Sequence, residues 1–151
     1  MKLVSQAIRP GQPIPAIHSC EGEDRSPPLA WDEVPTETRS LALIADDPDA
    51  PRGTYVHWVL FNLPADSIEL AAGVPTRPEL PSGARQGLND AGDVGYRGPC
   101  PPRGNPHRYV FRLYALDCAL SLPPGINRSD LDAAMVGHIL AEASLAGTYQ
   151  R

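Results

Sequence analysis

A chain of 151 residues, 42% of them hydrophobic, is long enough to bury one core, so a single domain over residues 1–151 is expected. Its formal net charge of -5 argues against a nucleic-acid partner, because duplex binding needs a positive stripe that releases counterions. No apolar run reaches the roughly 18 residues of a spanning helix, so no transmembrane segment is expected, and the polar opening Met1-Lys2-Leu3-Val4-Ser5-Gln6 lacks the apolar stretch of a signal peptide.

Eighteen prolines and 13 glycines fall short of the roughly quarter share that marks disorder, and they read as turns between strands. Ser40 to Ala45 is a short, nearly continuous apolar run halted by Asp46-Asp47-Pro48, which predicts a buried strand. Tyr55 to Leu63 alternates, with His57, Val59, Phe61 and Leu63 predicted on one face and Trp58, Leu60 and Asn62 on the other. Residues 64–106 carry turn formers and little periodicity, so they read as long loops with one short strand or helical turn. His107 to Leu116 gives the clearest strand, placing His107, Tyr109, Phe111 and Leu113 on one face and Arg108, Val110, Arg112 and Tyr114 on the other. Ser129 suits an N-cap, Leu131, Met135, Ile139 and Ala143 follow at fourfold spacing, and Gly147 suits a helix end. Strands followed by one helix predict an all-β fold with a peripheral helix.

Three segments carry candidate chemistry. Asp46-Asp47-Pro48-Asp49-Ala50-Pro51 is a stiff acidic turn, because each proline drives its predecessor out of the helical region. His57 and His107 lie near the starts of two alternating strands, where a carboxylate such as Asp47 would favour imidazolium and so a donor for an anion. Gly98-Pro99-Cys100-Pro101-Pro102-Arg103-Gly104 is a rigid loop whose free amides are candidates to cradle an oxyanion. Cys100 beside His107 has the thiol and base of a nucleophilic pair, but no third orienting residue accompanies them. Cys20, Cys100 and Cys118 are an odd number without a CxxC pair, which reads as reduced thiols in a cytoplasmic protein. Cys20 and Cys118 read as core thiols and His138 as a structural residue within the helix. His18 and Cys20 have no second ligand pair at zinc spacing, so no metal site and no cofactor is expected.

Taken in order, Asp47-Pro48-Asp49-Ala50-Pro51, His57-Trp58, Gly98-Pro99-Cys100-Pro101-Pro102 and His107-Arg108-Tyr109-Val110-Phe111 resemble the signature of the phosphatidylethanolamine-binding proteins, in particular the prokaryotic, Raf kinase inhibitor-like branch. Ser26-Pro27-Pro28-Leu29-Ala30-Trp31 extends the likeness toward the N-terminus. The resemblance implies a Greek-key β-sandwich with a small cavity near one edge that takes phosphate, phosphorylated head groups, acetate or similar anions. Carried over residue by residue, the ligand site would comprise Asp47, Asp49, His57, Gly98, Pro99, Cys100, Pro101, His107 and Tyr109. The short link from Pro51 to His57, and a C-terminus soon after one helix, depart from the animal pattern where it shapes the pocket mouth and the kinase-contacting surface.

The function expected is therefore regulatory, noncatalytic binding of a small anionic or zwitterionic ligand such as phosphate or a phosphoethanolamine-like group. Asp47 would orient a histidine or receive an ammonium group. Two alternatives use the same features. One is an isomerase or cyclase with Asp47, His57 and His107 as acid and base. The other is a protease or kinase inhibitor that presents the proline-rich loops to a protein partner. The sequence does not fix the oligomeric state, and a homodimer is compatible with it.

Overall fold

A computed structural model describes residues 1–151. Strands β1 (Lys2–Val4), β2 (Leu29–Asp32), β3 (Ser40–Asp47), β4 (Tyr55–Pro64), β5 (Glu69–Leu70), β6 (Arg85–Gln86) and β7 (His107–Leu116) precede the helix α1 (Arg128–Met135), and β8 (Ile139–Tyr149) follows it. They build two antiparallel sheets, one ordered β1-β2-β5 and the other β6-β4-β3-β7-β8. The architecture is thus mostly β with a single helix, as the order of patterns predicts. No helix is long and apolar enough to cross a membrane. Within 64–106 only the two-residue strands β5 and β6 form.

The apolar run of β3 lies at the centre of the larger sheet and is buried along its whole length. Period-two alternation divides its side chains between two cores. Leu41, Leu43 and Ala45 join Trp58, Phe111 and Leu113 in the larger core, which meets Leu3, Leu29 and Trp31 of the smaller sheet. Ala42 and Ile44 join Val59 and Phe61 beneath Leu131 and Met135 of α1. At the end of β3 the same alternation separates two adjacent carboxylates. Asp46 turns toward α1, accepting hydrogen bonds from Arg112 Nε at 3.0 Å and Arg128 Nη1 at 2.6 Å. Asp47 turns to the other side.

The alternation expected for β4 is broken twice. Ala45 pairs with Trp58 but Asp46 with Val56, so His57 is the extra residue of a β-bulge. Leu41 pairs with Leu63 and Leu43 with Leu60, a second extra residue, in a stretch where Asn62 adopts φ 57°. Asn62 tolerates this left-handed backbone and exchanges two hydrogen bonds of 2.8 Å with the backbone of Leu120. Trp58, Leu60 and Leu63 therefore share the larger core, while Val59 and Phe61 face the smaller one. His57 does not share their face. It packs instead against Tyr109 of the larger core.

The C-terminal helix is shorter than its pattern predicts. Asn127, not Ser129, is the N-cap, accepting from Asp130 N at 2.9 Å, and the helix ends at Met135 ahead of Gly137, whose φ is 81°. Residues 139–149 instead form β8, paired with β7 from Leu116↔Ile139 to His107↔Tyr149. The fourfold spacing of Ile139 and Ala143 continues by coincidence, and the unpaired edge of β7 decides the outcome because its backbone groups need partners. Gly147 is a mid-strand residue, not a helix end: a Cβ there would lie 2.7 Å from Ile14 Cγ1 and 2.9 Å from Ile8 Cγ2. The N-terminal segment passes that close because it covers the outer edge of β8, with Gly11 N donating to Ala146 O and Ile14 N to Thr148 O.

Candidate functional site

Three strand segments and one loop enclose a cavity of about 280 Å³. The end of β3 supplies Asp47, the bulge of β4 supplies His57, and the start of β7 supplies His107 and Tyr109. The register Asp46↔Val110 is what sets Asp47 beside His107. Gly98, Cys100, Pro101 and Pro102 form one wall, and Ala50, Pro51, Tyr55 and Arg97 lie around them.

Asp47 is almost fully buried and its two oxygens have separate tasks. Oδ2 accepts from His107 Nδ1 at 2.6 Å, and Oδ1 accepts from Asp49 N at 2.8 Å, which closes the turn after β3. A carboxylate can only accept, so His107 Nδ1 carries its proton and Nε2 is the ring nitrogen left for the cavity. His57 is fixed in the same way by a different partner. Its Nδ1 lies 2.6 Å from Arg97 O, and Arg97 N donates back to His57 O at 2.9 Å. Because a carbonyl also only accepts, Nδ1 again bears the hydrogen. Burial lowers the His57 pKa below its ordinary value, opposed by the Arg97 carbonyl and by the charge of Asp47. The imidazole is thus neutral at pH 7 with an unprotonated Nε2.

Tyr109 packs edge-on to His57 with ring centroids 5.2 Å apart. Burial, then the nearby Asp47 charge, pushes its hydroxyl pKa well above the usual range, so it remains an O–H donor. Tyr55 also packs against His57, tilted by 54° with ring centroids 4.9 Å apart. The histidine ring thus contacts two aromatics and one carbonyl.

Two of the nine expected residues stand outside the cavity lining. Asp49 accepts from Arg108 N, Nε and Nη2 at 2.9–3.0 Å, and this guanidinium contact lowers its pKa to about 2. It braces the turn and directs Arg108 outward. Pro99 points its carbonyl at Cys20 N, 3.1 Å away. The expected amide cradle is corrected as well. Gly98 N already donates to Asp24 Oδ1 at 2.9 Å, and Pro99, Pro101 and Pro102 have no N–H, so of the loop from Gly98 to Gly104 the amides of Cys100, Arg103 and Gly104 remain. Gly98 is glycine for packing, since a Cβ would lie 2.1 Å from His18 O.

The cysteine expectation fails on a pairing 80 residues long. Cys20 and Cys100 form a disulfide, leaving Cys118 free. Cys100 therefore has no thiol to act as a nucleophile, and Cys20 is not a core thiol but part of the cavity lining. The expectation of a cytoplasmic location loses the support it drew from three reduced thiols. Spacing alone could not expose this bond, because the partners meet only when the 98–102 loop folds over residues 18–24. Arg97 and Tyr55 were also missed. Their one sequence signal is adjacency, Arg97 preceding Gly98 and Tyr55 standing two residues before His57.

Comparison with known proteins shows the family and the fold. A sequence model of the phosphatidylethanolamine-binding protein family matches residues 4–150. A UPF0098 protein of Methanothermobacter thermautotrophicus is 54% identical over 151 residues, covering 100% of this chain and 99% of that one. One from Aquifex aeolicus is 48% identical, covering 100% and 89%. Among solved structures, a putative phosphatidylethanolamine-binding protein homologue, CT736 of Chlamydia trachomatis, superposes with TM-score 0.91 at 45% identity, covering 99% of this chain and 97% of that one. YbcL of E. coli, described as a new member of the mammalian family, gives 0.92 at 32% identity, covering 99% and 98%.

Proposed function

The chain belongs to the phosphatidylethanolamine-binding protein family, in its prokaryotic branch, and we propose that its cavity binds a small oxyanion or phosphorylated head group without transforming it. The observation that carries this reading is the pairing of His57 and His107, each held at Nδ1 by a fixed acceptor and each lining one cavity. When a proton accompanies the anion onto Nε2, each ring supplies a charge-assisted donor of the kind that holds phosphate, and the Tyr109 hydroxyl adds a neutral one. Arg97 serves the site through its backbone carbonyl on His57 Nδ1, while its guanidinium pairs with Asp93 at 2.8 Å.

Asp47 sits behind His107 and acts as its orienting partner. A bare carboxylate would repel an anion, but Asp47 is already engaged by His107 Nδ1 and fixes the direction of that ring. An ammonium-bearing head group has Asp47 as its nearest buried counter-charge, which favours zwitterionic ligands over plain phosphate. Calorimetric titration with inorganic phosphate and with phosphoethanolamine tests this. Saturable binding of both, tighter for phosphoethanolamine and lost in His107→Ala, is expected. Binding unchanged by His107→Ala would contradict the reading, and turnover of the ligand would contradict its noncatalytic part.

A further inference from the structure

A second group of chemically competent side chains lies at the far end of β7, roughly 30 Å along the strand from His107. Asp117, Cys118 and His138 bring a carboxylate oxygen, the free thiol and an imidazole nitrogen to within 4.8 Å of one another. We propose that these three residues form a binding site for a zinc-class divalent ion, separate from the anion cavity.

The chemistry of the donor set selects the ion. A sulfur, a nitrogen and an oxygen suit zinc or cobalt, whereas calcium and magnesium take oxygen almost exclusively. Bond lengths near 2.0 Å to nitrogen or oxygen and 2.3 Å to sulfur place tetrahedral donors roughly 3.3–3.6 Å apart, so the Asp117–His138 pair, now 2.8 Å apart, opens slightly while the Cys118 sulfur, within 4.8 Å of both, closes by at most about an ångström. Asp117 and His138 have the freedom for it, their side chains being 42% and 45% exposed.

The backbone beneath them is already fixed. Asp117 N donates to His138 O at 3.0 Å, tying the end of β7 to the turn between α1 and β8. His138 N donates to Met135 O at 2.9 Å, and Ser40 Oγ donates to Cys118 O at 2.7 Å. His138 Nδ1 and Asp117 Oδ1 are 2.8 Å apart, sharing a hydrogen that a bound ion would replace. The imidazole proton then moves to Nε2. The thiolate is the form of Cys118 that binds a metal, so coordination releases the thiol proton to solvent and affinity increases with pH. Three protein ligands leave a fourth position for water or for a donor from another molecule. Asp117-Cys118 and His138 stand on different elements, which is why no ligand spacing shows in the sequence.

Cobalt titration of the full chain, with the Cys20–Cys100 disulfide left oxidised, reads this site directly. One equivalent is expected to produce thiolate-to-cobalt charge-transfer absorption, bleached when zinc displaces cobalt and absent in Cys118→Ser. His138→Ala and Asp117→Asn are each expected to weaken zinc by more than the roughly tenfold that loss of a supporting contact costs a metal site. In the unsubstituted chain, zinc is expected to slow alkylation of Cys118, a readout that needs no variant. No charge-transfer band at saturating cobalt, a band that survives Cys118→Ser, a zinc affinity unchanged in His138→Ala, or alkylation unaffected by zinc would each overturn the proposal.

Discussion

His57 has a neutral ring whose one hydrogen is already given to Arg97 O. An oxyanion arriving at Nε2 meets a lone pair unless a proton comes with it, so binding and proton uptake are linked. Burial lowers the pKa of the free ring, and a bound anion raises it. Affinity is therefore full below the free-state pKa, declines between the two values, and is lost above the bound-state pKa. Sulfate, whose own charge is constant across this range, isolates the protein's share. Its affinity is expected to fall by roughly tenfold per pH unit for each proton taken up, with a shallower slope in His57→Gln, whose amide donates without a proton. A pH-independent sulfate affinity would contradict the linkage. The types of the site residues were legible from the sequence, since Asp47, His57, His107 and Tyr109 all line the cavity. Their tautomers were not, because the fixing partners of His57 and the neighbour of Gly98 N are set by loops with no periodicity of their own.

At the scale of elements, β3 and β7 were readable because their burial follows a simple pattern: an apolar run at the sheet centre and a strict alternation beside it. β4 and β8 were not. The bulge that aims His57 into the cavity is invisible in a sequence that alternates smoothly through it, and bulges of this kind commonly redirect side chains at sites. The stretch after Met135 is rich in Ala, Leu and Ile, which suits either a helix or a strand, and only pairing with β7 selects the strand. Gly147 tests that assignment. Gly147→Ala drives a methyl group between Ile8 and Ile14 and is expected to destabilise the fold by about 1–3 kcal/mol, as overpacking does, measured by urea unfolding. A neutral effect would mean that the N-terminal segment does not lie against β8 as described.

For the whole molecule, the wall of the cavity is a loop closed onto residues 18–24 by a disulfide, the Gly98–Asp24 hydrogen bond and the Cys20–Pro99 backbone bond. The ordered motifs were enough to identify the family and the strands that meet at the site, because they lie in segments that converge on one end of the larger sheet. The disulfide was hidden by its length. A cross-link spanning 80 residues restricts the unfolded chain by about 4 kcal/mol in the chain-entropy account. Cys20→Ser/Cys100→Ser is expected to lose stability of that order in denaturant titrations, whereas an unchanged midpoint would contradict the bond. Anion binding in this cavity depends on the two histidines as the ligand's donors. Histidine ring nitrogen resonances followed by NMR during phosphate addition test it most directly. Nε2 of His57 and of His107 are expected to shift together toward protonated values at one saturation point while His18 and His138 stay in place; Nε2 signals of His57 and His107 that remain still under saturating phosphate would contradict their role as donors.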